Sequence, residues 1–271
     1  MLTDLDGARV VVTGASSGIG AALAEGFSAR GATVGICARR EDRLGEVLER
    51  CRSHAPESRM WVQDLSELDA MSSFAERMLS DLGRVDLLIN NAGIPKRRWA
   101  WDLDGETVDR IMAINYSSPV RLTLALLPEL RARSGSIVFI GSVAARLAPP
   151  AEAAYAASKA ALTAFAEGLR VDLGVAGEDV GVHIVHPGVI RTDLFDTPDD
   201  DRSLADIAPL EASDMVQPVV EILASGKVER FVPSWFADLP AVKASDPTGF
   251  LAGSAEYARQ RLETLGLPIP S

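Results

Sequence analysis

From Ala8 to about Pro233, short β-rich runs alternate with longer stretches of helical apolar periodicity, and that alternation leaves few folds open. The runs fall at residues 8–13, 33–38, 59–62, 85–89, 136–141, 180–186 and 228–233. Strands separated by a helix's worth of chain pair in parallel, each crossover laying a helix on one face of the sheet. No Pro/Gly/Ser-rich linker, low-complexity run or repeat divides the segment. The 271 residues are therefore expected to form one α/β domain with a large core, residues 1–233, followed by an extension, 234–271, that the core does not require.

Two local patterns carry chemistry. The first run, Ala8 to Thr13, leads into Gly14-Ala15-Ser16-Ser17-Gly18-Ile19-Gly20 and an apolar-periodic stretch through Ala21, Leu23, Ala24 and Phe27. A strand, a glycine turn and a helix start form the setting in which backbone N–H groups cradle a pyrophosphate. The spacing is Gly-x-x-x-Gly-x-Gly, not the commoner G-x-G-x-x-G, and a purely structural glycine turn is the alternative. The second pattern is Tyr155 and Lys159 in an alanine-rich helical stretch. An i, i+4 spacing puts phenol and ammonium on one face. A fixed positive charge beside a phenol favours the phenolate and moves it toward general acid–base use. A partly exposed, inert pair is the bland alternative.

Together these residues resemble the short-chain dehydrogenase/reductase family in its single-domain form, over roughly residues 7–233. Thr13-Gly14-x-x-x-Gly18-x-Gly20 is similar to the family's cofactor turn. Asn90-Asn91-Ala92-Gly93 follows an apolar strand where the family has its second signature. Asn115 lies in a helical stretch, Ser142 follows the fifth run, and Pro187-Gly188 and Thr192 follow the sixth. The resemblance implies a Rossmann-type, doubly wound, mostly parallel seven-stranded sheet flanked by helices. It also implies hydride transfer between nicotinamide C4 and a carbonyl or carbinol carbon. In that scheme Tyr155 is the acid/base, Lys159 lowers the Tyr155 pKa and bonds the nicotinamide ribose, Ser142 holds the substrate oxygen, and the Asn115 side chain positions a relay water.

The implied dinucleotide contacts are Gly14, Ser16, Ser17, Gly18, Ile19 and Gly20 at the turn, Asp64 and Leu65 at the adenine, and Asn91, Ala92 and Gly93 along the groove. Pro187, Gly188, Ile190 and Thr192, with Tyr155 and Lys159, would seat the nicotinamide. The end of the second strand discriminates between cofactors. An acidic residue there would hydrogen-bond the ribose of NAD, but this chain has Ala38 followed by Arg39 and Arg40. Guanidinium suits a 2′-phosphate, so NADP(H) is favoured over NAD(H). Arg39 is the expected anchor, and solvated arginines before a helix are the alternative. Many NADP-preferring relatives carry a second basic residue where this chain has Ser17.

Composition narrows the partners. Lys and Arg total 27 against 38 Asp and Glu, a net charge of −11, which argues against nucleic-acid and membrane-surface binding. The N-terminus lacks the profile of a signal peptide and no apolar run reaches spanning length, so a cytoplasmic location is expected. Cys37 and Cys51 read as reduced structural residues, and His183 and His186 as one buried and one strand-end histidine; no metal site is expected. The acidic, Pro-broken segment 193–209 reads as a substrate lid with a solvated tip at Asp199 to Asp201, mildly disfavouring anionic substrates. Trp235, Phe236, Leu239, Phe250 and Tyr257 in the extension call for burial, either at the active-site mouth, with Trp99 and Trp101 as a pocket wall, or against a neighbouring subunit. The resemblance implies a homodimer or homotetramer. The favoured function is an NADP(H)-linked oxidoreductase acting on a mostly apolar small carbonyl or alcohol. An NAD-linked alcohol dehydrogenase and a non-catalytic dinucleotide sensor are the alternatives.

Overall fold

The computed structural model describes residues 4–192, 200 and 203–270. Strand β1 (Arg9–Thr13), helix α1 (Gly18–Ser28), β2 (Thr33–Ala38), α2 (Glu41–Arg52), β3 (Arg59–Val62), α3 (Met71–Leu82) and β4 (Leu87–Asn90) make the first half. Then follow α4 (Gly105–Met112), α5 (Ser118–Ala132), β5 (Ser136–Ile140), the short α6 (Ala144–Leu147), α7 (Ala153–Val175) and β6 (Gly181–Pro187). A two-residue strand pair, β7 (Ile190–Arg191) with β8 (Leu210–Glu211), precedes α8 (Val216–Ser225), β9 (Glu229–Val232), α9 (Leu239–Ser245) and α10 (Pro247–Thr264).

Seven strands form one sheet in the order β3-β2-β1-β4-β5-β6-β9, and every pairing is parallel. Such a sheet is buried on both faces, so its strands read as continuous apolar runs rather than alternating ones. Val10, Val11 and Val12 of β1 and Leu87, Leu88 and Ile89 of β4 are all fully buried. One core gathers α1, α2 and α8 on one face; the other gathers α3, α5 and α7 on the opposite face. Strand order reverses between β1 and β4, and the crevice above their C-terminal ends is where such sheets bind ligands.

Both cysteines are free and buried. Burial pushes the Cys37 thiol up to about 12 and the Cys51 thiol up to about 11, which keeps both out of thiolate chemistry. His183 and His186 are both fully buried, and His186 stands one residue from the end of β6, as expected. Among the described residues, no helix is long and apolar enough to cross a membrane.

Candidate active site

A cleft of about 1330 Å³ runs along the C-terminal edge of the sheet, from Arg39 and Arg40 at one end to Tyr155 and the α10 helix at the other. At the first end the glycines are needed where they stand. Gly14 and Gly18 have φ of +67° and +56°, in the left-handed region that favours glycine. A Cβ on Gly14 would lie 2.7 Å from the Ala92 Cα, and one on Gly18 would lie 2.8 Å from the Thr192 Cγ2. The Ser17 side chain does not cap α1; its hydroxyl instead accepts from Arg40 Nη2 at 2.6 Å. The first-turn amides of α1 therefore face the cleft as an anion cradle. Thr13 Oγ1 accepts from the Asn91 and Ala92 amides, each at 3.0 Å, and the Asn91 side chain donates to Thr13 O and Gly14 O. The second signature thus clamps the first.

The two arginines divide differently from expectation. Arg40 reaches over the turn to Ser16 Oγ and Ser17 Oγ, so it supplies the positive charge that Ser17 itself lacks. Arg39 is half-exposed and leans toward Asp64, 3.9 Å away. Partial burial pushes the Asp64 carboxyl up, but bonds from the Ser66 amide and hydroxyl, with Arg39 and Arg110 nearby, hold it below its usual range. The donors at this end suit the phosphates of a dinucleotide: amides at a helix start, two guanidiniums and a backbone that tolerates close approach.

At the other end, Tyr155 sits in the first turn of α7 beside Ser142, the second residue past β5, and both line the cleft. Ser142 Oγ also accepts from the Ala144 amide at 3.1 Å, which fixes its rotamer. Lys159, one turn along α7, is buried and donates from Nζ to Ile140 O at 2.8 Å. Its ammonium lies 5.9 Å from the Tyr155 ring centre. Lys159 is not among the groups that pull the Tyr155 phenol down here. Burial dominates and pushes the phenol above its ordinary value, Glu152 adds to the rise, and Ser142 and Arg97 oppose it only in part. Burial also lowers Lys159 to about 8, so its own charge is costly here and is spent on the Ile140 carbonyl.

Asn115 is wholly buried in a π-helical turn, Ala113–Ser117, between α4 and α5. Its Nδ2 donates to Ile94 O at 2.9 Å and Ser158 Oγ at 3.0 Å, while Oδ1 accepts from Ile94 N at 2.8 Å. Both amide hydrogens are used, and the side chain clamps the loop after Gly93, with one lone pair of Oδ1 left over. Asn115 and Gly20 sit behind the cleft wall; every other proposed catalytic or cofactor residue lines it.

The sequence profile of the family described as short chain dehydrogenase matches residues 8–203. The chain belongs to this family. Dehydrogenase/reductase SDR family member 7B of Xenopus laevis is 39% identical over 199 residues, 70% of this chain. That alignment spans 60% of the length of the relative. 11-beta-hydroxysteroid dehydrogenase-like 4A of Arabidopsis thaliana is 36% identical over 238 residues, covering 85% of this chain and 78% of the relative. A short-chain dehydrogenase from Sphingobium yanoikuyae, solved in complex with NADPH, superposes with a TM-score of 0.78 at 26% identity, covering 90% of this chain and 95% of that one. A Burkholderia phymatum short-chain dehydrogenase/reductase in complex with NAD shares the fold, with a TM-score of 0.82 at 24% identity over 91% of this chain and 95% of its own.

The remaining walls of this short-chain dehydrogenase cleft come from its own loops and extension. Phe236, Gly249, Phe250, Gly253, Ser254 and Tyr257 line the mouth. Tyr257 Oη accepts from the Asp206 amide and donates to Leu204 O, tying α10 to the segment before β8. Trp99 and Trp101 depart from expectation. Neither lines the cleft; Trp99 packs on Leu204, Ala258 and Leu262, and Trp101 stacks on Trp99 with 64% of its surface exposed. Packing on α10 absorbs Trp99 before it can reach the pocket.

Residues 193–199, 201 and 202, most of the expected lid, lie outside the described residues. Asp200 is not a solvated tip: its side chain is 2% exposed, 3.4 Å from both Lys96 Nζ and Arg97 Nη2. Two cations from the loop after Gly93 hold it down. Sequence reasoning also missed Glu152, three residues before Tyr155 and facing the cleft. Burial raises its carboxyl to about 7, with Arg97 opposing and Asp200 reinforcing. The available signal was a Pro95-Lys96-Arg97-Arg98 run directly after the second signature.

Proposed function

We propose that the protein is an NADP(H)-dependent oxidoreductase that interconverts a carbonyl and a secondary alcohol on a neutral, mostly apolar small molecule, with Tyr155 as acid/base. The observation that carries this reading is the placing of Tyr155 and Ser142 together in the wall of a cleft that continues to the glycine turn. Gly14, Ser16, Ser17, Gly18 and Ile19 would hold the pyrophosphate, Arg39 and Arg40 the 2′-phosphate, and Asp64 and Leu65 the adenine. Asn91, Ala92 and Gly93 would line the adenosine side, with Pro187, Gly188, Ile190 and Thr192 seating the nicotinamide. When bound, the nicotinamide supplies or accepts the hydride.

The chain's own groups handle the proton. Ser142 Oγ steadies the substrate oxygen, and Tyr155 Oη gives its proton to that oxygen as alkoxide character develops. A phenol, with an ordinary pKa of about 10, carries that proton at neutral pH. Lys159 Nζ lies 3.3 Å from where a Cβ on Gly93 would stand, so it lines the cleft floor within reach of a ribose hydroxyl. Asn115 holds that floor in place through Ile94.

Substrate charge follows from pairing. Lys96 and Arg97 already face Asp200 and Glu152, so the pocket presents no large net charge to a ligand. The rest of the mouth is apolar: Leu147, Pro149, Pro150, Leu204, Ile207, Phe236 and Phe250. The relative named for 11-beta-hydroxysteroids is consistent with a broad apolar alcohol or ketone. Exposed Leu124, Val171 and Val175 on α5 and α7 support a homodimer or homotetramer built on those helices.

The test of function is NADPH consumption against aldehydes, ketones and quinones, with Tyr155→Phe in parallel. Turnover by the wild type alone supports the reading, and equal turnover by both would sink it. Arg40→Asp is expected to lower the NADPH/NADH ratio of kcat/KM on the order of 100-fold, since it exchanges a charge-assisted bond for repulsion. Arg39→Asp should do less, because Arg39 is already shared with Asp64. Equal effects would return Arg39 to the anchor role. Gly253 offers a probe of pocket size. A Cβ there meets nothing within 4 Å, so a larger side chain would enter the cleft. Gly253→Leu should cut turnover of the bulkiest substrates while leaving small ones and the cofactor KM unchanged; uniform loss would remove α10 from the pocket wall.

A further inference from the structure

His186 of β6 is fully buried, and its ring stacks on Phe231 of β9 at 4.9 Å. Both ring nitrogens face oxygen: Nδ1 lies 2.9 Å from Ser142 O, and Nε2 lies 2.9 Å from Glu229 Oε1. A carbonyl oxygen can only accept, so Nδ1 carries a proton. Glu229 Oε1 already accepts from Arg146 Nε at 3.1 Å and Nη2 at 3.0 Å, which marks it as a carboxylate oxygen. Nε2 must then carry a proton as well. A neutral ring would set a nitrogen lone pair of a fully buried ring against an oxygen, an expensive arrangement. The ring has no room to turn away, since a Cβ on Gly141 would lie 2.7 Å from Nδ1.

We propose that His186 is a positioning residue for Ser142: an imidazolium clamped by Glu229 holds the Ser142 carbonyl, and with it the hydroxyl that faces Tyr155. The inference rests on the role given to Ser142 above. The charged groups packed around the ring are Glu229 from β9 and Arg146 from α6. Behind them stand Glu167 from α7, paired with Arg146, and Lys243 from α9, which donates to Arg146 O. Ser142 O also accepts from Ala145 N at 3.0 Å, so the peptide is held by two donors and only the hydroxyl is left to serve the cleft. A charge-assisted bond is stronger and shorter-ranged than a neutral one, and small misplacements of a reacting group are costly.

The 271-residue chain carries three histidines, so ring-nitrogen NMR on ¹⁵N-histidine protein is tractable, with His186→Asn assigning the signal. Two protonated ring nitrogens are expected at pH 7.5. Glu229→Gln should convert the ring to a single N–H, weaken the Nδ1 bond to Ser142 O and lower kcat by less than His186→Ala does. Asn in place of His186 retains a donor near the Nδ1 position. His186→Asn should therefore leave the Ser142 ¹³Cβ shift in place, whereas His186→Ala should move it and lower kcat by about tenfold with the cofactor KM unchanged. A neutral ring in the wild type would overturn the proposal. So would an unmoved Ser142 signal in His186→Ala, or equal losses in the Asn and Ala variants. These readouts stand apart from Tyr155→Phe, whose failure would instead overturn the acid/base reading.

Discussion

Tyr155→Phe is expected to bind NADPH with unchanged affinity and to lose kcat by about 10³-fold, near the upper range for removal of a general acid. The change deletes one oxygen. Its ring, in the first turn of α7, keeps the same neighbours, and Lys159 remains bound to Ile140 O. Ser142 Oγ still accepts from Ala144 N, so the floor of the cleft should not rearrange. What disappears is the hydroxyl to which the proposed function assigns the proton. The measurement is kcat on the best ketone from the substrate panel, alongside NADPH affinity from fluorescence quenching. More than a few per cent of wild-type kcat would assign the proton to another group, with Glu152 the first to examine because it faces the same cleft. Loss of NADPH affinity would show a structural effect instead.

The parts of the molecule set by local chain were legible in the sequence. β-Branched runs fall where the strands are, since a strand buried on both faces has no use for polar alternation. The glycine turn was legible because Gly14 and Gly18 adopt backbone that other residues avoid. The charge relations inside the site were not. Helical spacing places Tyr155 and Lys159 on one face, but it does not say that Nζ will turn to a carbonyl on β5 or that burial will outweigh the pair. Asn115 was placed correctly, and its amide is nonetheless absorbed by Ile94 and Ser158, contacts set by a π turn that leaves no sequence mark. Arg40 outreaches Arg39 because the last residue before α2 points back over the turn, a direction decided by the helix start. His186 and Glu229 are 43 residues apart and meet only because β6 and β9 pair in parallel.

Gly20→Ala should be the most damaging single methyl in the cofactor half of the site, although Gly20 does not touch the cleft. A Cβ there would stand 2.4 Å from Gly14 O and 2.5 Å from Asn91 Nδ2. Neither neighbour is the end of a flexible chain. The Gly14 carbonyl belongs to the turn itself, and the Asn91 amide is bound to Thr13 O at 2.9 Å and Gly14 O at 3.2 Å. Relief must come from lifting α1 off the turn or from breaking the Asn91 clamp. Either movement carries the first-turn amides away from the position where they would meet a pyrophosphate. Overpacking of this kind costs about 1–3 kcal/mol of stability. For a domain of this length, that corresponds to a fall in Tm of roughly 2–10 °C. Nicotinamide affinity should fall further, on the order of 100-fold, because several aligned donors are displaced together. Calorimetry with and without NADPH separates the two effects: the apo Tm reports the clash, and the shrunken ligand-induced shift reports the lost cradle. An unchanged shift in Gly20→Ala would mean that the dinucleotide does not depend on the α1 amides. The close packing of α1 on the Gly14 turn would then be purely structural.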